Sequence, residues 1–216
     1  MERIPLFPLN TVLFPHAPQR LHIFEERYKL MIGRCIDEGA PFGVVLIRSG
    51  EEVGGQAEPY DIGTTASISH VQRLPDGRTN IFALGVRRFR ILDLDQSEPY
   101  LQANVEELSS EDVDTPEAEA DAERVAALFS EQYRLLMAVT GQWVRRVGLP
   151  NEPDRLADFV AAQVDLPPPT KQELLETLSV PSRLRREAEL LGELIRKLTK
   201  RWEESRRERF AGVALN

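Results

Sequence analysis

Short apolar runs fill the first half of the chain and predict β-strands. Residues 42–47 form one such run, rich in branched side chains, and residues 64–74 and 78–92 form two longer ones. The last two are joined by residues 75–77, a Pro-Asp-Gly turn in which proline presets the chain direction and glycine tolerates a positive φ. This tripeptide predicts a hairpin. Gly85 lies near the middle of the second hairpin strand, where a strand can bend to close a barrel.

One amphipathic helix interrupts these predicted strands. Residues 25–37 carry apolar side chains at the spacing of a single helix face, and Gly39 is placed to end the helix. The apolar side chains are Tyr28, Ile32, Cys35 and Ile36. A further strand is predicted at residues 101–108.

The second half of the chain changes to helical spacing. Residues 116–147 predict a long helix whose apolar positions include Val144, and residues 154–164 and 170–178 predict two shorter ones. A last helix is predicted over residues 182–210, with leucines every seven residues at Leu184, Leu191 and Leu198. Because the repeat covers only about two heptads, docking on the chain's own bundle is favoured over a dimeric coiled coil. We therefore expect a monomer or a weak homodimer.

An acidic segment separates the two halves. Residues 106–123 hold nine acidic residues and no basic one. A solvated linker that runs into a helix is the favoured interpretation, and an acidic docking segment is the alternative. The predicted organisation is a β-rich lobe at residues 1–108, an acidic linker at 109–118 and a helical lobe at 119–216.

Charge and cysteine content restrict the class of protein. The formal net charge is -8 and the pI is about 5.1, which argues against a protein whose main task is to neutralise phosphate. Cys35 is the single cysteine, so the chain has no internal disulfide and no thiolate-rich zinc site. The cysteine usage points to a reducing compartment, and neither a signal peptide nor a membrane-spanning stretch is visible. We expect a cytoplasmic protein with no membrane partner.

Several short motifs occur together in a fixed order. They are IPLFPLNTVLFP at residues 4–15, IFEERY at 23–28, FGVV at 42–45, GVRRFRI at 85–91 and KQELLE at 171–176. As a set they resemble the substrate-binding N-terminal domain of the Lon (ATP-dependent protease La) family. The resemblance implies an α+β fold in which a PUA-like pseudo-barrel β domain is followed by a C-terminal α-helical bundle. It also assigns residues 1–108 to a Lon-type substrate-binding lobe.

The same resemblance implies a function. It suggests a free-standing module that binds unfolded or partly folded polypeptides, acting as an adaptor or chaperone-like protein in protein quality control, with a separate ATP-dependent protease or chaperone as partner. Candidate contacts are large apolar residues beside prolines or close to sheet edges. These residues are Phe7, Leu9, Phe14, Leu21, Ile23, Phe24 and Tyr28. The alternative, that they simply fill the barrel core, remains open.

Residues for catalysis are not apparent in the sequence. It contains no Gly-x-x-x-x-Gly-Lys-Ser/Thr loop for phosphate, and none of its four lysines lies in a segment typical of an apolar catalytic pocket. His22 precedes Glu25 and Glu26 but lacks a second histidine one helical turn away, so a zinc site is not predicted. Cys35 is interpreted as a core residue. We expect no enzyme activity, no catalytic residues, no metal and no cofactor.

RNA binding is the alternative function. PUA-like folds elsewhere bind RNA, and strand alternation places Arg88 and Arg90 on one face, where they would line a surface as nucleic-acid contacts. The acidic balance and the shortage of aromatic residues for base stacking argue against it. Polypeptide binding is therefore the favoured prediction.

Overall fold

The computed structural model describes residues 2–54, 57–139, 142 and 147–213. These residues form seven strands and five helices, which gives an α+β fold. The strands are β1 (Glu2–Leu9), β2 (Pro18–Ile23), β3 (Phe42–Gly50), β4 (Ala57–Pro59), β5 (Ile62–Arg73), β6 (Thr79–Asp95) and β7 (Gln102–Leu108). The helices are α1 (Glu26–Glu38), α2 (Pro116–Val139), α3 (Pro153–Gln163), α4 (Pro168–Glu176) and α5 (Val180–Val213).

Five of the strands close into a barrel. β1 pairs with β7, β7 with β6, β6 with β5 and β5 with β3, and β3 returns to β1 in a parallel pairing. β2 and β4 lie outside this ring, paired with β6 and β3 respectively. The predicted hairpin between β5 and β6 is confirmed, with Gly77 at a φ of 79° in its turn.

The length of β6 determines where β2 can lie. The first half of this 17-residue strand pairs with β2 and its second half pairs with β7. Gly85 lies where the β2 pairing ends, next to an irregularity in the pairing with β5. Its backbone contacts the segment before β2, because Gly85 N–H donates to Ala17 O at 2.9 Å and Gly85 O accepts from His16 N–H at 2.9 Å. β2 thus continues the sheet beyond the end of β7.

Apolar side chains fill the barrel in two groups. The larger one joins α1 to β1, β2, β3 and β6, and from α1 it includes Tyr28, Met31, Ile32 and Cys35. The smaller one contains Ile4, Leu6, Val45, Phe89, Ala103 and Val105. Gly39 ends α1 in the left-handed conformation, and its N–H donates to Cys35 O, so the helix terminates where its spacing predicted.

The chain divides into two compact units. The first contains Met1–Glu111 and Ala161–Leu178, and the second contains Asp112–Val160 and Ser179–Asn216. The lobe boundaries predicted from the sequence stay a prediction, but the structure differs in grouping α4 with the strands. Two hydrogen bonds join α4 to these strands: Gln172 Nε2 donates to Ile62 O at 2.9 Å, and Arg88 Nε donates to Leu175 O at 3.0 Å.

The second unit is helical. α2 packs against α5, and Val125, Phe129, Leu184 and Leu191 are buried there. The helix predicted over residues 116–147 is described as far as Val139, so Val144 lies outside the described residues. Within the described part of the chain, no helix combines the length and apolar character needed to cross a bilayer.

Candidate functional site

A cleft of about 300 Å³ runs along β2 in the first unit. One side is lined by β2 and the residues after it, and other lining residues come from β1, α1 and the loop after β3. Six of the seven residues predicted to contact polypeptide line this cleft: Phe7, Leu9, Leu21, Ile23, Phe24 and Tyr28. The fold therefore brings together side chains from positions 7 to 28.

Most of these six residues belong to the core. Phe7, Leu9, Leu21, Ile23 and Tyr28 are all buried, so they form the floor of the cleft with only small parts of their surface. Their role as polypeptide contacts stays a prediction. Phe24 differs because 45% of its surface is exposed.

Phe14 is the predicted contact that the cleft does not include. Its side chain is fully buried and its backbone oxygen lies against Gly85. Next to it, Leu13 O accepts a 2.6 Å hydrogen bond from the hydroxyl of Thr64. Phe14 is thus placed as a structural residue beneath β6.

Stacked rings fix the floor of the cleft. The rings of Phe7 and Tyr28 lie 4.1 Å apart between centroids at an angle of 13°, and the guanidinium of Arg27 lies 4.5 Å from the Tyr28 ring. The pKa of the Tyr28 phenol is raised overall, and burial is the largest cause. The charge of Arg27 lowers this pKa, and the charge of Glu25 raises it. The phenol is therefore neutral at physiological pH, so the side chains of the floor carry no charge of their own.

Exposed apolar groups form the rim. Val53 is 54% exposed and Phe24 stacks on His22 with ring centroids 6.0 Å apart. Sequence reasoning missed Val53 because it lies in a glycine-rich stretch that predicts only a turn. Hydrogen bonds hold this loop in place: Glu25 accepts from Gly54 N–H at 3.2 Å and Glu52 accepts from Asn10 N–H at 2.9 Å.

The predicted nucleic-acid contacts do not share a surface. Arg88 is 3% exposed and donates to a carbonyl of α4, so the expectation that it lines a surface is wrong. The alternation of side chains along a strand did not predict the burial of Arg88, because α4 covers that position of β6. Arg90 is exposed, but its guanidinium lies 3.7 Å from Glu106, and Arg87 pairs with Glu107 at 2.6 Å. These acids offset the positive charge that phosphate binding needs.

The polar residues suspected of chemistry have structural contacts. His22 Nδ1 lies 2.7 Å from Asn80 Oδ1 on the neighbouring strand. Among the described residues, no three His, Cys, Asp or Glu side chains are grouped closely enough to hold a metal ion. Burial, followed by the charge of Glu38, raises the pKa of Cys35 to about 11.

Cys35 is expected to resist thiol reagents in the folded protein. With a pKa of about 11, on the order of one thiol in a thousand is ionised at pH 8. Iodoacetamide should modify it at least about 100-fold more slowly in the native protein than in urea. Peptide mapping by mass spectrometry measures both rates, and equal rates would contradict the burial of this side chain.

Comparison with known proteins establishes the family. Residues 3–193 match a family model described as the ATP-dependent protease La (LON) substrate-binding domain. The chain belongs to this family. It is 31% identical over 192 residues to the Lon protease of Anaeromyxobacter dehalogenans, covering 88% of this chain and 23% of that protein. It is also 31% identical over 195 residues to Lon protease 2 of Myxococcus xanthus, with the same coverage. The chain thus spans about a quarter of the length of these proteases.

Solved structures of the Lon family show the same fold. A Lon N-terminal domain protein from Xanthomonas campestris matches with a TM-score of 0.63 and 24% identity, covering 86% of this chain and 96% of that one. The N-terminal domain of a Mycobacterium avium complex Lon protease matches with a TM-score of 0.66 and 21% identity, covering 90% and 98%. The α+β class, with a pseudo-barrel and following helices, is confirmed.

Proposed function

We propose that this chain binds exposed apolar stretches of unfolded or partly folded polypeptide. The observation that carries the proposal is the cleft along β2, whose floor is apolar and whose rim exposes Phe24 and Val53. Membership in a family described as substrate-binding supports the same assignment. Apolar polypeptide segments are exposed in unfolded proteins and buried in native ones, so such a surface would discriminate between the two.

The shape of the cleft suits many sequences rather than one. At about 300 Å³ it accepts a few side chains, and its floor offers few polar groups that would demand a particular partner. Burying the exposed part of an aromatic side chain contributes about 1 kcal/mol. Individual contacts of this size give loose, reversible binding, which is what a module that samples many unfolded chains requires.

We further propose that the domain acts without chemistry. The match to known proteins falls on the substrate-binding region of Lon, and the chain's sequence contains no phosphate-binding loop. In this role the domain is an adaptor or chaperone-like component of protein quality control. The partner that would act on the bound polypeptide is an ATP-dependent protease or a chaperone.

Replacing Phe24 with serine is expected to weaken binding of an unfolded protein about fivefold. The substitution removes an apolar side chain that is already 45% exposed, so it costs little stability and about 1 kcal/mol of contact energy. The measurement is fluorescence anisotropy of labelled lactalbumin, reduced and alkylated to keep it unfolded. Leu30→Ser is the matched control, since Leu30 is 41% exposed on α1 but does not line the cleft.

Three results would contradict the proposal. They are equal affinity for native and unfolded lactalbumin, no binding of either at tens of micromolar protein, and an equal loss in the Phe24→Ser and Leu30→Ser variants. Nucleic acid that co-purifies and absorbs near 260 nm, with binding that weakens steeply in salt, would favour the RNA alternative instead.

A further inference from the structure

β2 is an edge strand in the described part of the chain. It pairs with β6 from Pro18 to Ile23, and no second strand pairs with its other side. The cleft lies along this same strand and is lined by each residue from Gln19 to Phe24. An open strand edge therefore borders an apolar cleft.

The alternation of hydrogen bonds along β2 determines which of its backbone N–H and C=O groups face the open side. Gly85 N–H donates to Ala17 O, and bonding pairs alternate along an antiparallel ladder. In the observed register, Gln19, Leu21 and Ile23 therefore bond to β6. The backbone groups of the residues between them, Arg20 and His22, point away from β6.

The position of Pro18 is consistent with this alternation of hydrogen bonds. It occupies the same alternating set as Arg20 and His22, and proline has no N–H to donate. Proline is tolerated on an edge strand when its nitrogen faces away from the ladder. The two residues that follow in this set keep their N–H groups, so the open edge has two N–H donors and three C=O groups, of which Arg20 O accepts a 3.4 Å hydrogen bond from Gln19 Nε2.

Side chains along β2 alternate between buried and exposed positions. Leu21 and Ile23 are buried towards the cleft floor, whereas Arg20 and His22 are exposed, as is Phe24 directly after the strand. The Arg20 guanidinium stacks 4.9 Å from the Phe82 ring, and no carboxylate among the described residues forms an ion pair with it. Arg20 is therefore the cationic group on the exposed side of β2, while the two carboxylates that line the cleft, Glu25 and Glu52, contact Arg27 and the Asn10 N–H respectively.

We propose that the bound polypeptide adds to β2 as an extended strand. This inference rests on the proposed function and specifies its ligand: a segment whose alternate side chains are apolar and enter the cleft, while the side chains between them include acidic residues near Arg20 and His22. Main-chain hydrogen bonds to Arg20 and His22 would supply affinity that does not depend on sequence. The charge of Arg20 favours segments with acidic residues.

Backbone N-methylation of a peptide tests strand addition. The probe is a fluorescein-labelled nine-residue peptide with valine at odd positions and glutamate or threonine at even positions. Only every second amide of an added strand faces β2. Methylating the amides that face β2 is expected to weaken binding of the peptide at least about tenfold. Methylating the amides that face away should change its affinity less than about twofold.

A variant of the protein gives an independent test. His22→Pro removes an N–H that faces the open edge and leaves the β6 ladder intact, as Pro18 already does. We expect it to bind the unmethylated peptide about tenfold more weakly than His22→Ala, which also lacks the imidazole but keeps the N–H. Thermal unfolding checks that both variants fold, and the methylated peptides decide the question if His22→Pro does not.

The outcomes separate this inference from the proposed function. Strand addition is wrong if the unmethylated peptide binds and the two methylated peptides have equal affinities, whether high or low. Apolar binding in the cleft then stands on its own. If neither the peptide nor the unfolded lactalbumin binds, the proposed function fails and strand addition fails with it.

Replacing the glutamates of the probe with lysines should weaken binding about threefold or more, and unchanged affinity would contradict the role of Arg20.

Discussion

Replacing Gly85 with alanine is expected to destabilise the first unit by about 3 kcal/mol, near the upper end for inserting atoms into a packed core. A Cβ atom at this position would lie 2.2 Å from the backbone oxygen of Phe14. That oxygen cannot move away easily, because the Phe14 side chain is fully buried and the nearby residues His16 and Ala17 bond to Gly85. The melting temperature should fall by about 6–12 °C, measured by circular dichroism.

Gly33→Ala is the matched control for Gly85→Ala. Gly33 lies inside α1, and a Cβ atom there would meet no other atom within 4 Å. Because alanine favours a helix interior over glycine, this variant should gain about 0.5–1 kcal/mol. A Gly85→Ala protein as stable as the original would show that β6 and the segment before β2 do not pack as closely as described.

Replacing Arg183 with methionine is expected to destabilise the second unit by about 3–5 kcal/mol, as removal of one partner from a buried ion pair does. Arg183 is fully buried at the start of α5, and its Nη2 lies 3.5 Å from Oδ1 of Asp158, which is also buried. Glu187, one helical turn further along, is buried as well. Removing the cation would leave buried acidic side chains without its compensating charge.

Arg185→Met tests whether this effect comes from burial. Arg185 lies two residues further along α5 and pairs with Asp121 at 2.8 Å, but its side chain is 54% exposed. Exposed pairs contribute little, so we expect a loss of about 0.5 kcal/mol or less. Urea unfolding measures both variants through the transition midpoint. Similar losses at the two positions would contradict the importance of burial at Arg183.

Local patterns were sufficient to predict several elements of the first unit. The Pro-Asp-Gly tripeptide at residues 75–77 and the apolar runs around it specify a hairpin by short-range geometry, and Gly39 ends α1 as predicted. β1 and β2 were not predicted as strands because prolines interrupt their patterns. These strands are formed through pairing with residues far along the chain, which no local window contains.

Long-range packing also limited the prediction of the site. Periodicity identifies apolar residues but does not separate a core side chain such as Ile23 from a rim side chain such as Phe24, which is its neighbour in sequence. Arg88 was expected at a surface because the covering helix, α4, begins 80 residues later. The gathering of six predicted contacts around one cleft was likewise visible only once β1, β2 and α1 were folded together.

Nuclear magnetic resonance with an unfolded ligand tests the central claim most directly. Reduced and alkylated lactalbumin is added to the isotopically labelled protein, and the backbone amide shifts are followed residue by residue. Binding in the proposed cleft predicts that the largest changes occur at Arg20, His22, Phe24 and Val53, with little change around Arg90 and Glu106. Shifts concentrated away from β2, or no shifts at saturating ligand, would contradict the assignment of this cleft as the polypeptide-binding site.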